Sequence, residues 1–269
     1  MAEKIFDTHA HYFDRKFGEL EGGAESVIES AEFLSTVCGV VNVATNPENA
    51  ARCLEQTAKY DFMYAAVGIH PSDAQNECKG TPAEELCRLE KIIGDADSRK
   101  KQKIVAIGEI GYDYYWQPVD RELQRTYFDV QMKLASRLDL PVIIHDREAH
   151  ADTFDMICSH PDVIGVLHSC SMSAEMVREI VKRGWFVSFS GPLTYKNAQR
   201  VREACAAVPL DRLLVETDAP YLSPVPYRGK VNNSVYMAQT LLEMAQIHGK
   251  DYDEMARITA KNARDLFRI

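Results

Sequence analysis

The chain has 269 residues, of which 46% are hydrophobic and 26% charged, so it is long enough to bury a sizeable core. Its formal net charge of −9 argues against a broad basic surface for nucleic acid or an anionic membrane, but not against a phosphate held locally by cations. The chain start lacks a secretory signal pattern, and no apolar run reaches the roughly 18 residues of a membrane span. Seven cysteines, odd in number and never in CxxC spacing, favour reduced thiols and a cytoplasmic location.

Short apolar, β-branched segments recur along the whole chain and predict eight strands. The predicted strands cover residues 4–9, 39–44, 63–69, 103–109, 141–145, 163–168, 185–190 and 212–218. Helical patterns lie between them, and the clearest repeats its apolar positions every three or four residues over 119–138. The other predicted helices cover 24–37, 47–59, 82–94, 148–159, 173–183, 195–207, 233–248 and 251–267.

Eight strands that are each followed by a helix predict an α/β protein with the (β/α)8 TIM barrel fold and an extra C-terminal helix. Doubly wound sheets usually have five or six strands and a Gly-rich first turn. The sequence contains neither a P-loop nor a GxGxxG motif, so we expect no nucleotide cofactor. Since no linker or repeat interrupts the pattern, we expect residues 1–269 to form a single domain.

Histidine and acidic side chains lie at or just beyond the carboxyl ends of five predicted strands. In a (β/α)8 barrel these ends meet at one mouth, where such enzymes carry out their chemistry. In an extended strand, residues two apart point to the same side, so the histidines of DTHAH share one face with Asp7. The candidate ligands, in chain order, are His9, His11, Glu109, His145, His168 and Asp218.

Four imidazoles and two carboxylates are enough ligands for two divalent cations. We expect His9, His11 and Asp218 to hold one cation, because strands 1 and 8 are neighbours when a barrel closes. We expect His145 and His168 to hold the other, with Glu109 touching both. Two such cations activate water and clamp the attacking and leaving oxygens of a hydrolysis. Histidine ligands suit zinc or manganese, and magnesium is a third candidate.

Two further side chains lie near this predicted mouth. His70 follows the third strand and could be another metal ligand, a substrate contact or an ordinary turn residue; we favour the substrate contact. Glu216, two residues before Asp218, is either a support for a ligand or one half of a structural ion pair. No GxSxG motif is present, so nothing in the sequence locates a serine nucleophile.

Several motifs, taken in order, resemble the TatD family of metal-dependent hydrolases and deoxyribonucleases. The resemblance covers the chain end to end, and the combination is specific although each motif alone is weak. The motifs are DTHAH (7–11), GIHP (68–71), GEIGYDYY (108–115), VIIHDREA (142–149), VLHSCS (166–171), ETDAPYLSP (216–224), RGKVNN (228–233) and ITAKNARDLF (258–267).

The resemblance implies a (β/α)8 barrel and the six metal ligands named above. It also implies divalent-metal-dependent phosphodiester hydrolysis, classically of DNA from its 3′ end. We expect a 3′–5′ exonuclease on single-stranded ends, in which Asp218 orients or deprotonates the nucleophilic water and Glu109 bridges the two cations. Arg228, in the loop after strand 8, would then bind a substrate phosphate. The expected partner is a nucleic acid substrate rather than a membrane. Oligomeric state is not readable from the sequence, although a monomer is favoured.

Three positions depart from the family pattern. Two positions after the histidine of VLHSCS, where the family usually has an aromatic residue, this chain has Cys170. Two positions further on, where the family usually has glycine, it has Met172. Methionine adopts positive φ less readily than glycine, so we expect a different turn there and a changed substrate preference. Directly after RGKVNN, where the family usually has proline, this chain has Ser234.

Two other functions fit the same residues. The first is an amidohydrolase-like enzyme that cleaves an ester, amide or lactone, including D-aminoacyl-tRNA. Related barrels often carry a lysine on strand 4, where this chain has Glu109, which favours the phosphodiesterase. The second is a non-enzymatic metal-binding scaffold, which the complete ligand set makes less favourable.

Overall fold

A computed structural model describes residues 3–269 of the chain. The eight strands follow one another in the sheet in chain order, and the pairings resolved between them are parallel. This order, with a helix after each strand, is that of the (β/α)8 barrel class, so the predicted fold class is confirmed. The strands are β1 Ile5–Ala10, β2 Val37–Val43, β3 Met63–Val67, β4 Ile104–Asp113, β5 Val142–Arg147, β6 Gly165–Leu167, β7 Phe186–Phe189 and β8 Leu213–Val215.

Helices fill the segments between the strands and close the chain, and most of them lie where the periodicity predicts a helix. The α-helices are α1 Gly23–Ile28, α2 Ala31–Thr36, α3 Pro47–Lys59, α4 Pro71–Asn76, α5 Pro82–Ile93, α6 Ala96–Lys101, α7 Arg121–Leu138, α8 His150–Ser159, α9 Ala174–Val181, α10 Gln199–Ala207, α11 Met237–His248 and α12 Tyr252–Phe267. Three short 3₁₀ helices lie at Arg15–Glu19, Gly191–Thr194 and Leu210–Arg212.

Several boundaries differ from the sequence prediction, and α4 and α6 lie where no helix is predicted. The single helix predicted over 24–37 is two helices, because the Ser30 side chain accepts a hydrogen bond from the backbone of Phe33 and starts α2 anew. Strand β4 continues to Asp113, so Glu109 lies inside the strand rather than at its end. Strand β8 ends at Val215, which places Asp218 in the loop that follows.

The described chain consists of two compact units. Unit 1 contains the residues up to Asn42 together with His168–Leu266, and unit 2 contains Val43–Leu167 with Phe267–Ile269. The prediction of one domain over 1–269 stays a prediction, and its first two residues lie outside the described part of the chain. Within residues 3–269, no helix is both long enough and apolar enough to cross a bilayer.

In unit 1, the first strand is joined to the segment that follows the last strand. The backbone N–H of His11 donates to the carbonyl of Ala219, and the N–H of Asp218 donates to the carbonyl of His9. All six residues of β1 are buried, as expected for a parallel strand covered on both faces. These hydrogen bonds place the loop after β8 beside His9 of β1 and His11, which directly follows the strand.

In unit 2, strands β3 to β6 form a continuous parallel run. The register of β4 against β5 shifts between Ile107 and Ile110, which is the stretch that contains Glu109. Beyond the shift, Gly111 pairs with His145. The strand is therefore irregular at Glu109, where the ordinary alternation of side chains is interrupted.

Candidate metal centre

Two imidazoles and one carboxylate converge in unit 1. The Nε2 atoms of His9 and His11 are 3.0 Å apart, and both histidines are buried. Oδ1 of Asp218 lies 3.3 Å from Nε2 of His11 and 3.7 Å from Nε2 of His9. The structure therefore brings together the three side chains that the sequence assigns to one cation.

Backbone conformation explains how Asp218 reaches this position. Its φ is 56°, in the left-handed region that non-glycine residues seldom occupy. The N–H of Asp218 donates to the carbonyl of His9 in β1, and the carbonyl of Asp218 accepts the N–H of Tyr221. These two hydrogen bonds fix the turn. Unfavourable backbone conformations that are held in this way are commonly found at functional sites.

The distances between these donor atoms fit a shared cation. Nitrogen ligands lie about 2.1 Å from zinc, so neighbouring donors of a tetrahedral site are about 3.4 Å apart. The three distances among His9, His11 and Asp218 bracket this value. Burial opposes the ionisation of Asp218, but the adjacent imidazoles hold the pKa of its carboxyl below the usual value. The carboxylate is thus ready to bind a cation at neutral pH.

His168 lies beside this group and is oriented by Glu216. Its ring stacks on that of His9, with the centroids 4.1 Å apart. Nδ1 of His168 lies 3.2 Å from Oε1 of Glu216, which also accepts the backbone N–H of Ser169. His9, His168 and Glu216 form a group of potential metal ligands with donor atoms within 4.8 Å of one another. A carboxylate on one ring nitrogen leaves the other available for a metal.

A second group of candidate ligands lies in unit 2. Nδ1 of His145 is 2.9 Å from Oε1 of Glu109, and Nε2 of His70 is 3.7 Å from the same oxygen. These three residues also have donor atoms within 4.8 Å of one another. The predicted pairing of His145 with His168 stays a prediction, because His168 belongs to unit 1.

The hydrogen bonding of His70 fixes its tautomer. Its Nδ1 accepts the backbone N–H of Ser72 and so caps the start of α4. A neutral imidazole that accepts at Nδ1 carries its proton on Nε2 and donates from there. His70 therefore faces Glu109 as a hydrogen-bond donor, which suits a contact to an anionic substrate better than metal ligation.

Asp113 contacts the unit 2 group, and the sequence analysis missed this residue. Its Oδ2 lies 3.1 Å from Nε2 of His145, and its Oδ1 accepts the backbone N–H groups of Tyr115 and Trp116. Burial alone would raise the pKa of Asp113, but His145 and these N–H groups hold it below the usual value. Asp113 lies in GEIGYDYY, four residues after Glu109, but the predicted strand ends at residue 109 and leaves it out.

Asp7 is hydrogen-bonded to the backbone of the unit 1 group. It is fully buried and accepts four hydrogen bonds, from the N–H groups of His9 and Thr217 and from the hydroxyls of Thr217 and Ser234. Burial outweighs these donors and raises the pKa of Asp7 to about 7. Asp7 binds the backbone of His9 rather than its ring, so it positions the ligand.

The comparisons with known proteins agree with this geometry. A family model for TatD related DNases matches residues 6–268. The chain belongs to the TatD family. It is 37% identical to the metal-dependent hydrolase YabD of Bacillus subtilis, over 98% of this chain and 99% of that protein. It is 35% identical to the metal-dependent hydrolase TatD of Mycobacterium tuberculosis, over 98% and 97% of the two chains.

A solved structure shows the same fold over the whole length. The crystal structure of the TatD homologue YjjV from Escherichia coli superposes with a TM-score of 0.89 and 30% identity, covering all of both chains. A phosphotriesterase homology protein from E. coli, crystallised with phosphate in its active site, shares the fold at a TM-score of 0.67 and 13% identity. The family assignment makes this chain a metal-dependent hydrolase, with His, Asp and Glu clusters that can hold metal ions.

The structure also shows what replaces the usual TatD-family residues. Cys170 and Met172 are both buried, so neither side chain presents a surface to a substrate. The positive φ in this turn belongs to Ser169, at 41°, and not to Met172. Ser234 donates its hydroxyl to Asp7 and its backbone N–H to the hydroxyl of Tyr12, and proline could make neither bond.

Arg228 lies on the surface of unit 1. Its side chain is exposed, and the guanidinium stacks over the ring of Tyr195, 4.2 Å from the ring centroid. This arrangement keeps the guanidinium edge in solvent. The predicted phosphate contact of Arg228 stays a prediction.

Proposed function

We propose that this TatD-family protein hydrolyses phosphodiester bonds at single-stranded DNA ends, as a 3′–5′ exonuclease that uses two divalent cations. The observation that carries the proposal is the convergence of His9, His11 and Asp218 at distances that fit a shared cation. The same donors in a hydrolase of this family support metal-assisted attack by water on an anionic ester.

Each cluster has its own part in the proposal. His9, His11 and Asp218 hold one cation, and Glu109 and His145 contribute ligands to a second. Divalent cations bound there supply Lewis-acid polarisation of a phosphoryl oxygen and activation of water. Zinc and manganese suit the nitrogen-rich donors, and magnesium is the third candidate.

The protein's own groups move the protons. Asp218 turns Oδ1 towards the two histidines, so its second oxygen accepts the proton of the attacking water. His70 donates from Nε2 to a nonbridging phosphate oxygen, which its fixed tautomer allows. Glu216 keeps the ring of His168 in place. Arg228 extends from the loop after β8 and binds a neighbouring phosphate.

The test is nucleotide release from 3′-labelled single-stranded DNA by metal-stripped protein, with and without magnesium, manganese or zinc. We expect release only when a metal is added. His145→Ala should lose it, because Glu109 would lose its nearest imidazole. Lys133→Ala, on the exposed side of α7, is the matched control and should retain full activity.

An ester, amide or lactone is the second candidate substrate class. The buried Cys170 supports it, because the TatD family usually has an aromatic residue at that position. Protein that binds two metal ions per chain and releases no nucleotide with any metal would contradict the nuclease proposal. Hydrolysis of D-aminoacyl-tRNA or of a lactone by the same preparation would then support this alternative.

A further inference from the structure

An exposed aromatic pair lies in the loop between β4 and α7. Tyr115 is 46% exposed and Trp116 is 59% exposed, whereas Trp185, the other tryptophan, is 1% exposed. Burying an aromatic side chain is favourable, so leaving two adjacent ones in solvent sacrifices stability. Large exposed apolar groups beside a functional site commonly mark a binding surface.

The loop is attached to the unit 2 ligand group through one carboxylate. Oδ1 of Asp113 accepts the N–H of Tyr115 at 2.9 Å and that of Trp116 at 3.2 Å. Oδ2 of Asp113 lies 3.1 Å from Nε2 of His145. A single carboxylate thus separates the backbone of the aromatic pair from a proposed metal ligand.

One guanidinium packs against the aromatic pair, and a second packs against the tyrosine that precedes it. The guanidinium of Arg147 lies 4.0 Å from the ring centroid of Tyr115 and 5.7 Å from that of Trp116. The guanidinium of Arg121 lies 4.2 Å from the ring centroid of Tyr114. The rings of Tyr115 and Trp116 meet edge to face, with their planes 87° apart, so they do not cover one another by stacking. Exposed aromatic faces interleaved with arginines are the usual surface for single-stranded nucleic acid.

We infer that Trp116, with Tyr115 and Arg147, forms a stacking platform for a nucleobase next to the phosphodiester that is cleaved. This inference rests on the proposed function and names the part of the substrate that the loop recognises. The base stacks on the indole, and Arg147 neutralises an adjacent phosphate. The platform supplies neither a metal ligand nor a general base. It therefore determines which substrate is preferred and does not take part in the chemical step.

The test uses the fluorescence of Trp116, because Trp185 is buried and does not respond to a surface ligand. Metal-stripped protein in chelator is titrated with a single-stranded oligonucleotide, so that binding is measured without turnover. We expect quenching of the exposed-tryptophan emission. An oligomer of the same length with abasic residues at its 3′ end should bind about 10-fold more weakly and quench little.

Variants separate stacking from simple apolar contact. Trp116→Phe should retain the affinity, measured by anisotropy of a labelled oligonucleotide, whereas Trp116→Leu should lose about 10-fold. Leu34→Ala, which truncates a side chain that is 46% exposed on α2, is the matched control and should have no effect. With metal present, Trp116→Leu should raise KM about 10-fold and leave kcat almost unchanged.

The outcomes distinguish this inference from the proposed function. Equal affinity of Trp116→Leu and the unaltered protein, or equal binding of the abasic oligomer, would overturn the platform even if DNA is hydrolysed. Tighter binding of apolar peptides than of oligonucleotides would also overturn it. Base-dependent quenching without nucleotide release would support the platform and count against the nuclease.

Discussion

Asp218 has a carboxylate that contacts two imidazoles while its backbone is in a left-handed conformation. Asp218→Asn keeps the shape and removes the charge, so we expect activity on labelled DNA to fall about 100-fold or more. The melting temperature of the metal-free protein should change little, because the backbone hydrogen bonds of the turn remain. Asp211→Asn, an exposed carboxylate, is the matched control. Turnover by Asp218→Asn at the unaltered rate would contradict the assigned role.

The four hydrogen bonds to Asp7 make a second prediction at this scale. Asp7→Ala strands the buried N–H groups of His9 and Thr217, so we expect the free energy of unfolding to drop by about 3 kcal/mol. Asp7→Asn keeps one carbonyl oxygen for these N–H groups, and the facing hydroxyls can rotate to accept, so its loss should be smaller. Urea denaturation measures both.

The control for Asp7 is an exposed aspartate on α6. Asp97→Asn should leave the free energy of unfolding unchanged within about 0.5 kcal/mol. If Asp7→Ala is as stable as this control, the stabilising role assigned to Asp7 is contradicted.

At the scale of elements, the contact between β4 and β5 depends on a glycine. Gly111 has a φ of 140°, and a Cβ placed there would lie 2.0 Å from the carbonyl oxygen of His145. Gly111→Ala must push the strands apart, so we expect a loss of about 3 kcal/mol or more in urea denaturation. Gly18→Ala meets nothing within 4 Å and should be nearly neutral. Equal stability of the two variants would contradict this close approach.

His248 connects α11 to α10 and makes stability depend on pH. Its Nε2 lies 3.2 Å from the carbonyl oxygen of Cys205 and donates to it, and burial holds the pKa of the imidazole below its ordinary value of 6.5. The unfolded chain therefore takes up the proton first as pH falls. Stability is complete above pH 6.5 and is lost as pH falls through the lower native-state pKa.

His248→Gln removes this titration while keeping a side chain that can donate to the carbonyl. We expect the melting temperature of the variant to fall less than that of the unaltered protein between pH 7.5 and 5. Thermal unfolding in matched buffers measures the difference. Parallel pH profiles for the two proteins would show that His248 does not contribute.

Sequence patterns predict elements better than their ends. All eight strands are found where apolar, β-branched runs occur, because burial on both faces requires such residues. The ends are set by partners distant in sequence, which a local pattern does not contain. The position of Asp218 depends on its hydrogen bond to His9, and the break before α2 depends on the cap formed by Ser30. The candidate ligands were recognised because they lie at or near predicted strand ends, whereas Asp113 was missed because β4 is longer than predicted.

At the scale of the whole molecule, metal binding should stabilise the fold. Ions that bind only the native state add stability by mass action, about 2.7 kcal/mol for one site at a concentration of 100 times its Kd. We expect zinc or manganese to raise the melting temperature of chelator-treated protein and elemental analysis to find two ions per chain. Variants His11→Ala and His145→Ala should each lose one ion. A single ion, or none, in the unaltered protein would contradict the two-metal proposal.

The hydrogen bonds that Asp7 receives from Thr217 and Ser234 join residues 210 and 227 positions apart. During synthesis on the ribosome, His9 and His11 emerge early, whereas Asp218 and the hydroxyls that donate to Asp7 emerge only after most of the chain has been made. Contacts this distant in sequence form slowly and late in folding. A nascent or prematurely terminated chain that ends before residue 217 therefore lacks the carboxylate of the unit 1 cluster. We therefore expect incomplete translation products to lack hydrolytic activity without any inhibitor.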